Sequence, residues 1–564
     1  MKNKSANLVL VFAVVFTSFQ LWWFGPKCIR EIDYDGMAYT GIARHLRHGE
    51  FYAAINAFRS PLLSWIIAVI PGSNLVLIGK VVNIFSLLLC GVLSYVFTMR
   101  LWNSKLAASI AVALFAFGRG FVPGAAGSVV PDFLFAALTL VYFLLLLQCL
   151  RGAGWVRWFS LGIVHGIAYL AKAFALPWLA LSSLAAALLS VGTIKQRVTR
   201  LASAALVPVV AAGAWALVLH SKYGVYTTGT QFKTNLLQWT LKAYRDHRDP
   251  TYLVLRDTTK EVDEYVIDDP MAPGSWPWNY HVSVRHALPK VLSAELRNVP
   301  QVIKEILIVV TPGGLLAFAF AVGILGARRR QFPVEWRVVI VIVVSAISLV
   351  CTYSMLVFDA RYLYPLIPLL LAVAARFLVR DDDWNYGSWR MMAIALVVLG
   401  EIAALAYSSS PFRMRTRDFQ LSCYDAGNRL KTHRGATLAS IGAGPFPEHG
   451  VGWEAGYKAA FFGGRRIIAA TDDLPSPEMT GAVLADLAKA APDSIIVWRS
   501  GNNPRYVSFV QSLAHEYHAA SSEEISDPVL GVVGTILFIN KLKAVNSSST
   551  EFGSQPVSPE QLTR

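Results

Sequence analysis

The sequence predicts a polytopic α-helical membrane protein with interfacial helices outside the bilayer and a small α/β domain at its C-terminal end. Three observations carry that prediction. Of the 564 residues, 55% are hydrophobic and only 15% charged, the mean hydropathy is +0.46, and the apolar residues gather in runs of about twenty, the length that crosses a bilayer core. Short basic loops separate these runs. After Tyr407 the composition changes to that of a water-soluble domain.

A window reading of apolar length gives about eleven spans, at residues 7–24, 76–99, 106–122, 131–150, 155–171, 174–192, 201–219, 303–326, 338–356, 362–379 and 391–408. The first follows Lys2 and Lys4, lacks a small-residue cleavage site and is full length, so it reads as a retained signal-anchor helix. With those lysines in the cytoplasm, the next internal loops carry Arg100 and Lys105, then Arg151 and Arg157, then Lys195, Arg197 and Arg200. Arg328, Arg329, Arg330 and Arg337 follow, and then Arg380 and Arg390. Every alternate loop is basic, the positive-inside pattern, and Asp381, Asp382 and Asp383 leave it unchanged because acids count little. An odd number of spans puts the C-terminus outside. The net charge of +15 resides largely in these loops, where topology and anionic lipid account for it, so it does not point to nucleic acid. The organisation expected is a transmembrane domain over 1–408, an external α/β domain over 409–543, and a disordered tail over 544–564 rich in Ser, Thr, Gln and Pro.

Three pieces are expected outside: 25–75, 220–302 and everything after about 409. The first opens with EIDYDGMAYTGIARHLRHGEF, residues 31–51, in which Tyr39, Ile42, Ala43 and Leu46 share one helical face while Arg44, His45, Arg47 and His48 cover the other. That pattern predicts an amphipathic helix ended by Gly49, flat on the membrane surface with Asp33 and Asp35 at its mouth. SPLLSWIIAVI, residues 60–70, is too short to span and is followed by Pro71 and Gly72, so it reads as a second interfacial helix. In the middle piece, SWPWNYH at 275–281 offers Trp276, Trp278 and Tyr280 as an aromatic belt or as a grip on lipid or sugar. Beyond 409, Thr437–Ile441, Ser494–Trp498 and Thr535–Ile539 suit buried strands, and 482–491 and 506–515 have helical spacing. GAGPFP at 442–447 lacks the third glycine of a dinucleotide fingerprint. Cys90, Cys149 and Cys351 lie in apolar runs with no metal-type spacing, and Cys28 and Cys423 both fall outside, which leaves a disulfide between them open.

This topology brings the unusual polar residues to one side. Asp33, Asp35 and Arg59 lie in the first external piece, Lys80 near the external end of the second span, and Asp132 at the external start of the fourth. Lys172 sits in the tight turn of YLAKAFALP, and Asp359 and Arg361 open the tenth. Singly, each has a structural explanation. Asp35 can cap its helix, Asp132 can start one after Pro131, Lys80, Lys172 and Arg361 can snorkel, and Arg59 can pair with an acid. Jointly these explanations weaken, because charges at or within membrane segments are costly and usually face a cavity. Arg and Lys hold phosphate by charge-assisted bonds, and a carboxylate can take the proton of an attacking hydroxyl. A lipid phosphate beside a general base is the chemistry such a cluster suits.

The same residues resemble the GT-C superfamily of integral-membrane glycosyltransferases, particularly the bacterial branch related to aminoarabinose transferases and protein O-mannosyltransferases. Four patches carry the resemblance, in order, over roughly residues 10–380: DGMAYTGIARHLRHGEF with FRSPLLSWIIA, VVPDFLFAALTLVYFLLLL, GIAYLAKAFALPWL and DARYLYPLIPLLL. The resemblance implies a GT-C-like transmembrane catalytic domain in the inner membrane of a bacterium. It implies a polyprenyl-phosphate-linked sugar as donor, a lipid, glycan or protein as acceptor, and inversion at the anomeric carbon. Asp35 would be the general base and Asp132 a second acid of the site; Arg59, Lys172 and Arg361 would hold the donor phosphate. Asp33 makes the stretch a DxD-like variant, a place for the acceptor or for a divalent metal, Mg or Mn. Tyr39 and Lys80 are further candidates for substrate contact. Two departures stand out: the family's basic-Pro-Pro triplet reads Arg59-Ser60-Pro61, and Gly36 stands where an acid often follows the first-loop Asp. Other classes of function open to such a sequence are a transporter or flippase of a polyprenyl-linked glycan and a non-catalytic scaffold. A transporter is expected to place its charges in mid-bilayer and to show repeat symmetry.

Overall fold

The computed structural model describes residues 2–116, 121–152, 154–241, 254–255, 284–310, 318–323, 326, 330, 333–354, 360–379, 395, 396, 399, 411–433, 435–442, 452–471, 477–499, 505–517, 519–527 and 531–539. Asp359, the SWPWNYH segment, most of 391–408, the GAGPFP turn beyond Gly442 and the tail lie outside the described residues.

The apolar runs form helices. In chain order they are α1 (Lys2–Cys28), α2 (Tyr34–Arg47), α3 (Phe51–Ala54), α4 (Leu62–Val69), α5 (Leu75–Trp102), α6 (Lys105–Ala116), α7 (Phe121–Gly127), α8 (Asp132–Leu150), α9 (Trp155–Ala171), α10 (Ala175–Leu189) and α11 (Ile194–Tyr223). There follow α12 (Gln231–Asn235), α13 (Val284–Val310), α14 (Pro333–Ser354) and, after a 3₁₀ turn at Ala360–Leu363, α15 (Ile367–Leu378). Among them α1, α5, α8, α11 and α14 are long and apolar enough to cross a membrane, and α6 with α7, bent by 55°, makes a sixth span if the two act as one. These are counts among the described residues; two of the eleven spans expected, 303–326 and 391–408, lie partly or mostly outside them. The helices α9, α10 and α15 have only 17, 15 and 12 residues, because at one end each gives way to the turns that carry Lys172 and Arg361.

Helix packing follows from small residues and buried polar links. A Cβ on Gly162 of α9 would lie 2.6 Å from the Ala204 carbonyl oxygen of α11, so only glycine permits that approach. Trp178 Nε1 donates to the Ser345 carbonyl at 2.8 Å and Ser182 pairs with Ser345 at 2.7 Å, tying α10 to α14; Trp102 Nε1 donates to Ala372 and ties α5 to α15. Around these links a core including Tyr142, Phe143, Trp158, Trp178 and Phe377 is buried.

The C-terminal part carries α16 (Pro411–Thr432), β2 (Thr437–Ile441), α17 (Gly452–Gly463), β3 (Arg466–Thr471), α18 (Pro477–Ala490), β4 (Ser494–Trp498), α19 (Arg505–Glu516), β5 (Ala519–Asp527) and β6 (Gly531–Ile539). With β1 (Val254–Leu255) they form one sheet, ordered β1-β3-β2-β4-β6-β5, parallel for β3, β2 and β4 and antiparallel elsewhere. Side chains alternate across it as the pleat requires. Leu438, Ile496 and Trp498 face α16 and α17, while Ala439, Ile441, Ile495 and Val497 face α18 and α19.

The three pieces expected outside meet. Ile32, Met37 and Ala38 join the core formed by α16, α17 and the sheet, Tyr34 meets Tyr457 edge-on at 6.3 Å, and β1 from the middle piece pairs with β3. Chains that touch lie on one side of a membrane, so these contacts agree with a common side for all three. They also correct the expectation for α2. It does not lie exposed on a membrane surface: Met37, Ala38, Tyr39, Ile42 and Ala43 are buried between α4, α5 and the C-terminal part. Its basic face is in use as well. His45 is buried against Glu50 at 2.5 Å, and Arg47 caps the end of α4 by donating to the carbonyls of Ile67, Ala68, Ile70 and Gly72.

Candidate active site

The site starts from the way α2 begins. Asp33, with extended backbone, is its N-cap: Oδ1 accepts the Gly36 N–H at 3.0 Å and the Val129 N–H at 3.4 Å. The reading of Asp35 as the cap is therefore corrected; the cap lies two residues earlier, and Asp35 is left in the first turn with its carboxylate elsewhere. Gly36 fits the same arrangement. A Cβ there would meet Asp33 Oδ1 at 2.6 Å and Val129 at 3.2 Å, so this position has no room for an acidic side chain.

Asp35 lies between two guanidinium groups. Arg59 Nη2 is 2.7 Å from Oδ1 and Arg361 Nη1 is 3.1 Å from Oδ2, with the three side chains 22%, 8% and 29% exposed. Arg59 is positioned by its loop: Asn56 Oδ1 accepts the N–H groups of Phe58 at 2.9 Å and Arg59 at 2.6 Å, and Ser60 Oγ accepts the Ala173 N–H at 2.9 Å. The serine of the unusual Arg-Ser-Pro triplet thus ties the loop to the turn that carries Lys172. Arg361 comes from the 3₁₀ turn, which Tyr364 pins by packing on Phe121 and Phe133 at 5.0 and 4.9 Å. Burial pushes the Asp35 carboxyl up, but the charges of Arg59, Arg361 and Lys172 outweigh it and hold the group below its ordinary value.

Lys172 is the residue at which α9 ends, and Asp132 opens α8 directly after Pro131. Their side chains form a buried ion pair at 2.5 Å, 10% and 4% exposed. Lys172 Nζ also stands 4.7 Å above the Tyr362 ring, which stacks on Tyr353 at 4.1 Å. Tyr39 is buried beside the cluster; burial raises its phenol, as do Asp35 and Asp132, while Arg59 and Arg361 oppose them. The structure therefore brings Asp35, Arg59, Arg361, Lys172, Asp132 and Tyr39 into one group. It does not bring Lys80 there. The Lys80 ammonium donates to the carbonyls of Cys28, Ile29 and Glu31, and so closes the end of α1. Sequence reasoning named Ser60 only as a departure from the basic-Pro-Pro triplet and passed over Asn56, Tyr353 and Tyr362; of these only Tyr362 had a signal, an aromatic directly after a candidate arginine.

The described residues do not fit a divalent metal. Both Asp35 oxygens face guanidinium groups, Asp33 Oδ1 accepts two backbone N–H groups, and Asp132 Oδ1 faces Lys172. No group of three His, Cys, Asp or Glu side chains suited to a metal occurs among the described residues. All five cysteines are thiols, so no disulfide links Cys28 to Cys423.

No protein-family model and no curated protein matches the chain. Solved structures do. ArnT from Cupriavidus metallidurans bound to undecaprenyl phosphate aligns with a TM-score of 0.51 and 13% identity over 93% of this chain and 97% of its own. The apo oligosaccharyltransferase of Archaeoglobus fulgidus aligns with a TM-score of 0.53 and 11% identity over 89% of this chain and 71% of its own. At such identities the likeness shows the fold alone: over most of its length this chain shares its architecture with these two proteins.

Proposed function

We propose that the protein is a membrane glycosyltransferase that moves a sugar from a polyprenyl-phosphate donor to a lipid, polysaccharide or protein acceptor. The observation that carries this reading is a carboxylate, Asp35, held between two arginines beside a buried Lys–Asp pair, in a fold shared with a protein bound to undecaprenyl phosphate. In the proposed reaction Asp35 takes the proton of the acceptor hydroxyl as its oxygen attacks the anomeric carbon. The bond from that carbon to the phosphate oxygen breaks, and polyprenyl phosphate leaves. A single displacement inverts the anomeric centre. Arg59, Arg361 and Lys172 receive the charge that develops on the leaving phosphate. Asp132, paired with Lys172 at 2.5 Å, holds it in place.

Asp35 and the phosphate call on the same arginines. Without donor the guanidinium groups hold the carboxylate and depress its basicity. When the phosphate draws on them, Asp35 becomes the better base at the moment a proton must be taken. The charged residues sit at helix starts, ends and turns, which favours a transferase working at one membrane face over a transporter with mid-bilayer charges. We place that face outside the cytoplasmic membrane of a bacterium, with the N-terminus inside and the C-terminal part in the periplasm, on the basic-loop pattern. In vesicles reconstituted with the full chain and a polyprenyl-phosphate-linked sugar, D35N is expected to insert and fold as the parent does and to lose transfer by about 10²-fold or more. Full activity in D35N overturns the assignment of the base. A reporter fused after Ser410 is expected outside, and a cytoplasmic signal inverts the topology.

A further inference from the structure

Arg59 and Lys172 come from different segments, and as like charges they push those segments apart. What holds them is a closed ring of hydrogen bonds. On one side Ser60, next to Arg59, accepts the N–H of Ala173, next to Lys172, at 2.9 Å. On the other side the link runs through the chain that leaves α11 at Gly224. The Thr230 N–H donates to the Ala57 carbonyl at 2.9 Å, two residues before Arg59, and the Thr228 carbonyl accepts the Tyr169 hydroxyl at 2.9 Å, three residues before Lys172. Between these two points Gly229 has φ +148°, a conformation that strains any side chain, and a Cβ on it would lie 3.5 Å from both the Ala57 carbonyl oxygen and the Ala173 methyl. Its backbone therefore touches both segments at once. The root of the link is fixed as well: Lys222 Nζ donates to the carbonyls of Ala53 and Ile55 at 3.1 and 2.5 Å, and the Tyr223 hydroxyl donates to Ile55 at 3.1 Å.

Each cation is thus tethered on both of its flanks, Arg59 at Ala57 and Ser60, Lys172 at Tyr169 and Ala173. A tether on one flank leaves a segment free to pivot about it, whereas tethers on both leave one spacing. A phosphate that takes charge-assisted bonds from both cations needs that spacing set before it arrives, because a displacement of about 1 Å can cost about 10²-fold in rate. We propose that residues 222–230 form a brace that sets the distance between Arg59 and Lys172, with Tyr169 and Gly229 as positioning residues of the donor-phosphate site. This rests on the reading of the two cations as ligands of the donor phosphate.

Two measurements on the full-length protein in detergent test the brace. Hydrogen exchange read by mass spectrometry reports the tethers without any transfer reaction. Y169F removes a single hydroxyl and is expected to speed exchange by about threefold or more in the peptides that hold residues 55–60 and 171–176, and to leave the C-terminal sheet unchanged. Unaltered exchange in both peptides overturns the brace. Transfer kinetics from a polyprenyl-phosphate-linked sugar then read its purpose. Because either half of the ring retains part of the constraint, Y169F and S60A are each expected to raise the donor KM about two- to tenfold with the acceptor KM unchanged, and Y169F/S60A to exceed the product of the two single effects by about threefold or more. A double variant equal to that product, or a rise shared equally by the acceptor KM, overturns the positioning role. Should Y169F fail to fold, G229A, which keeps every hydrogen-bonding group of the ring, decides by the same exchange readout. A parent that transfers none of these sugars defeats the phosphate reading, and the exchange result still judges the brace.

Discussion

The buried pair of Lys172 and Asp132 allows stability and chemistry to be separated. K172M removes the ammonium and leaves the Asp132 carboxylate 4% exposed with its 2.5 Å partner gone. Breaking a buried ion pair in this way costs about 3–5 kcal/mol. Adding D132N takes the stranded charge away and leaves a neutral amide, whose desolvation costs about 1–3 kcal/mol. The double variant should then be more stable than K172M alone by roughly 2 kcal/mol. Thermal unfolding of the purified protein in detergent, followed by tryptophan fluorescence, measures the order: parent highest, double variant next, K172M lowest. Transfer activity should not follow that order, because both variants lack the cation proposed to meet the leaving phosphate. A double variant no more stable than K172M refutes the view that Asp132 is a buried carboxylate dependent on Lys172. A stable double variant that regains full activity refutes the phosphate role of Lys172.

The other expectations concern α2 and its partners. G36A should destabilise the protein by about 1 kcal/mol or more, since a Cβ 2.6 Å from Asp33 Oδ1 displaces the cap; unfolding of G36A equal to the parent rules the crowding out. R361K should raise KM for the donor and lower kcat together, because a point charge replaces a fork that faces Asp35 at 3.1 Å; a change confined to acceptor KM contradicts donor-phosphate binding. The Asp35 carboxyl is held below its ordinary value, so its contribution to stability is complete above an unfolded-state pKa of about 3.9 and is lost as pH falls below that. The acid limb of kcat/KM, which reports the free enzyme, should accordingly lie below about pH 4, and the limb of kcat should lie higher because donor phosphate has drawn on the arginines. A kcat/KM limb near pH 6 would exclude Asp35 as the base.

Much of this architecture was legible because it rests on periodicity and charge. The strands at Thr437–Ile441 and Ser494–Trp498 match the expected runs residue for residue, since both are apolar and fully flanked by breaking residues. By contrast β5, reading AASSEEISD, has no apolar signature and exists because β6 offers it a partner. Helix α13 contains Pro289 and Pro300, which argue locally against a helix. The grouping of Asp35, Asp132, Lys172 and Arg361 was legible from topology alone, because loops on one side of a bilayer have few places to go. Which carboxylate caps α2 was not. Asp33 and Asp35 are chemically identical, and the choice between them turns on where the Val129 N–H and the two guanidinium groups lie in space.

That division between the two aspartates has a chemical consequence for the proposed reaction. The cluster holds three cations, Arg59, Arg361 and Lys172, against two carboxylates, Asp35 and Asp132, an excess of one positive charge. A sugar phosphodiester brings one negative charge and makes the site neutral. When the glycosidic bond breaks, the leaving phosphate gains a second charge; at the same time Asp35 accepts a proton and loses its own. The net charge is thus the same before and after transfer, and what moves is its location, from a carboxylate held by two arginines to a phosphate held by the same two. In a site this buried, where altering the net charge is expensive, that exchange needs one carboxylate able to give up its partners. Asp132 is only 4% exposed and closed in against Lys172, and Asp33 is bound to backbone N–H groups. Asp35 is the acid whose partners the substrate itself can take over.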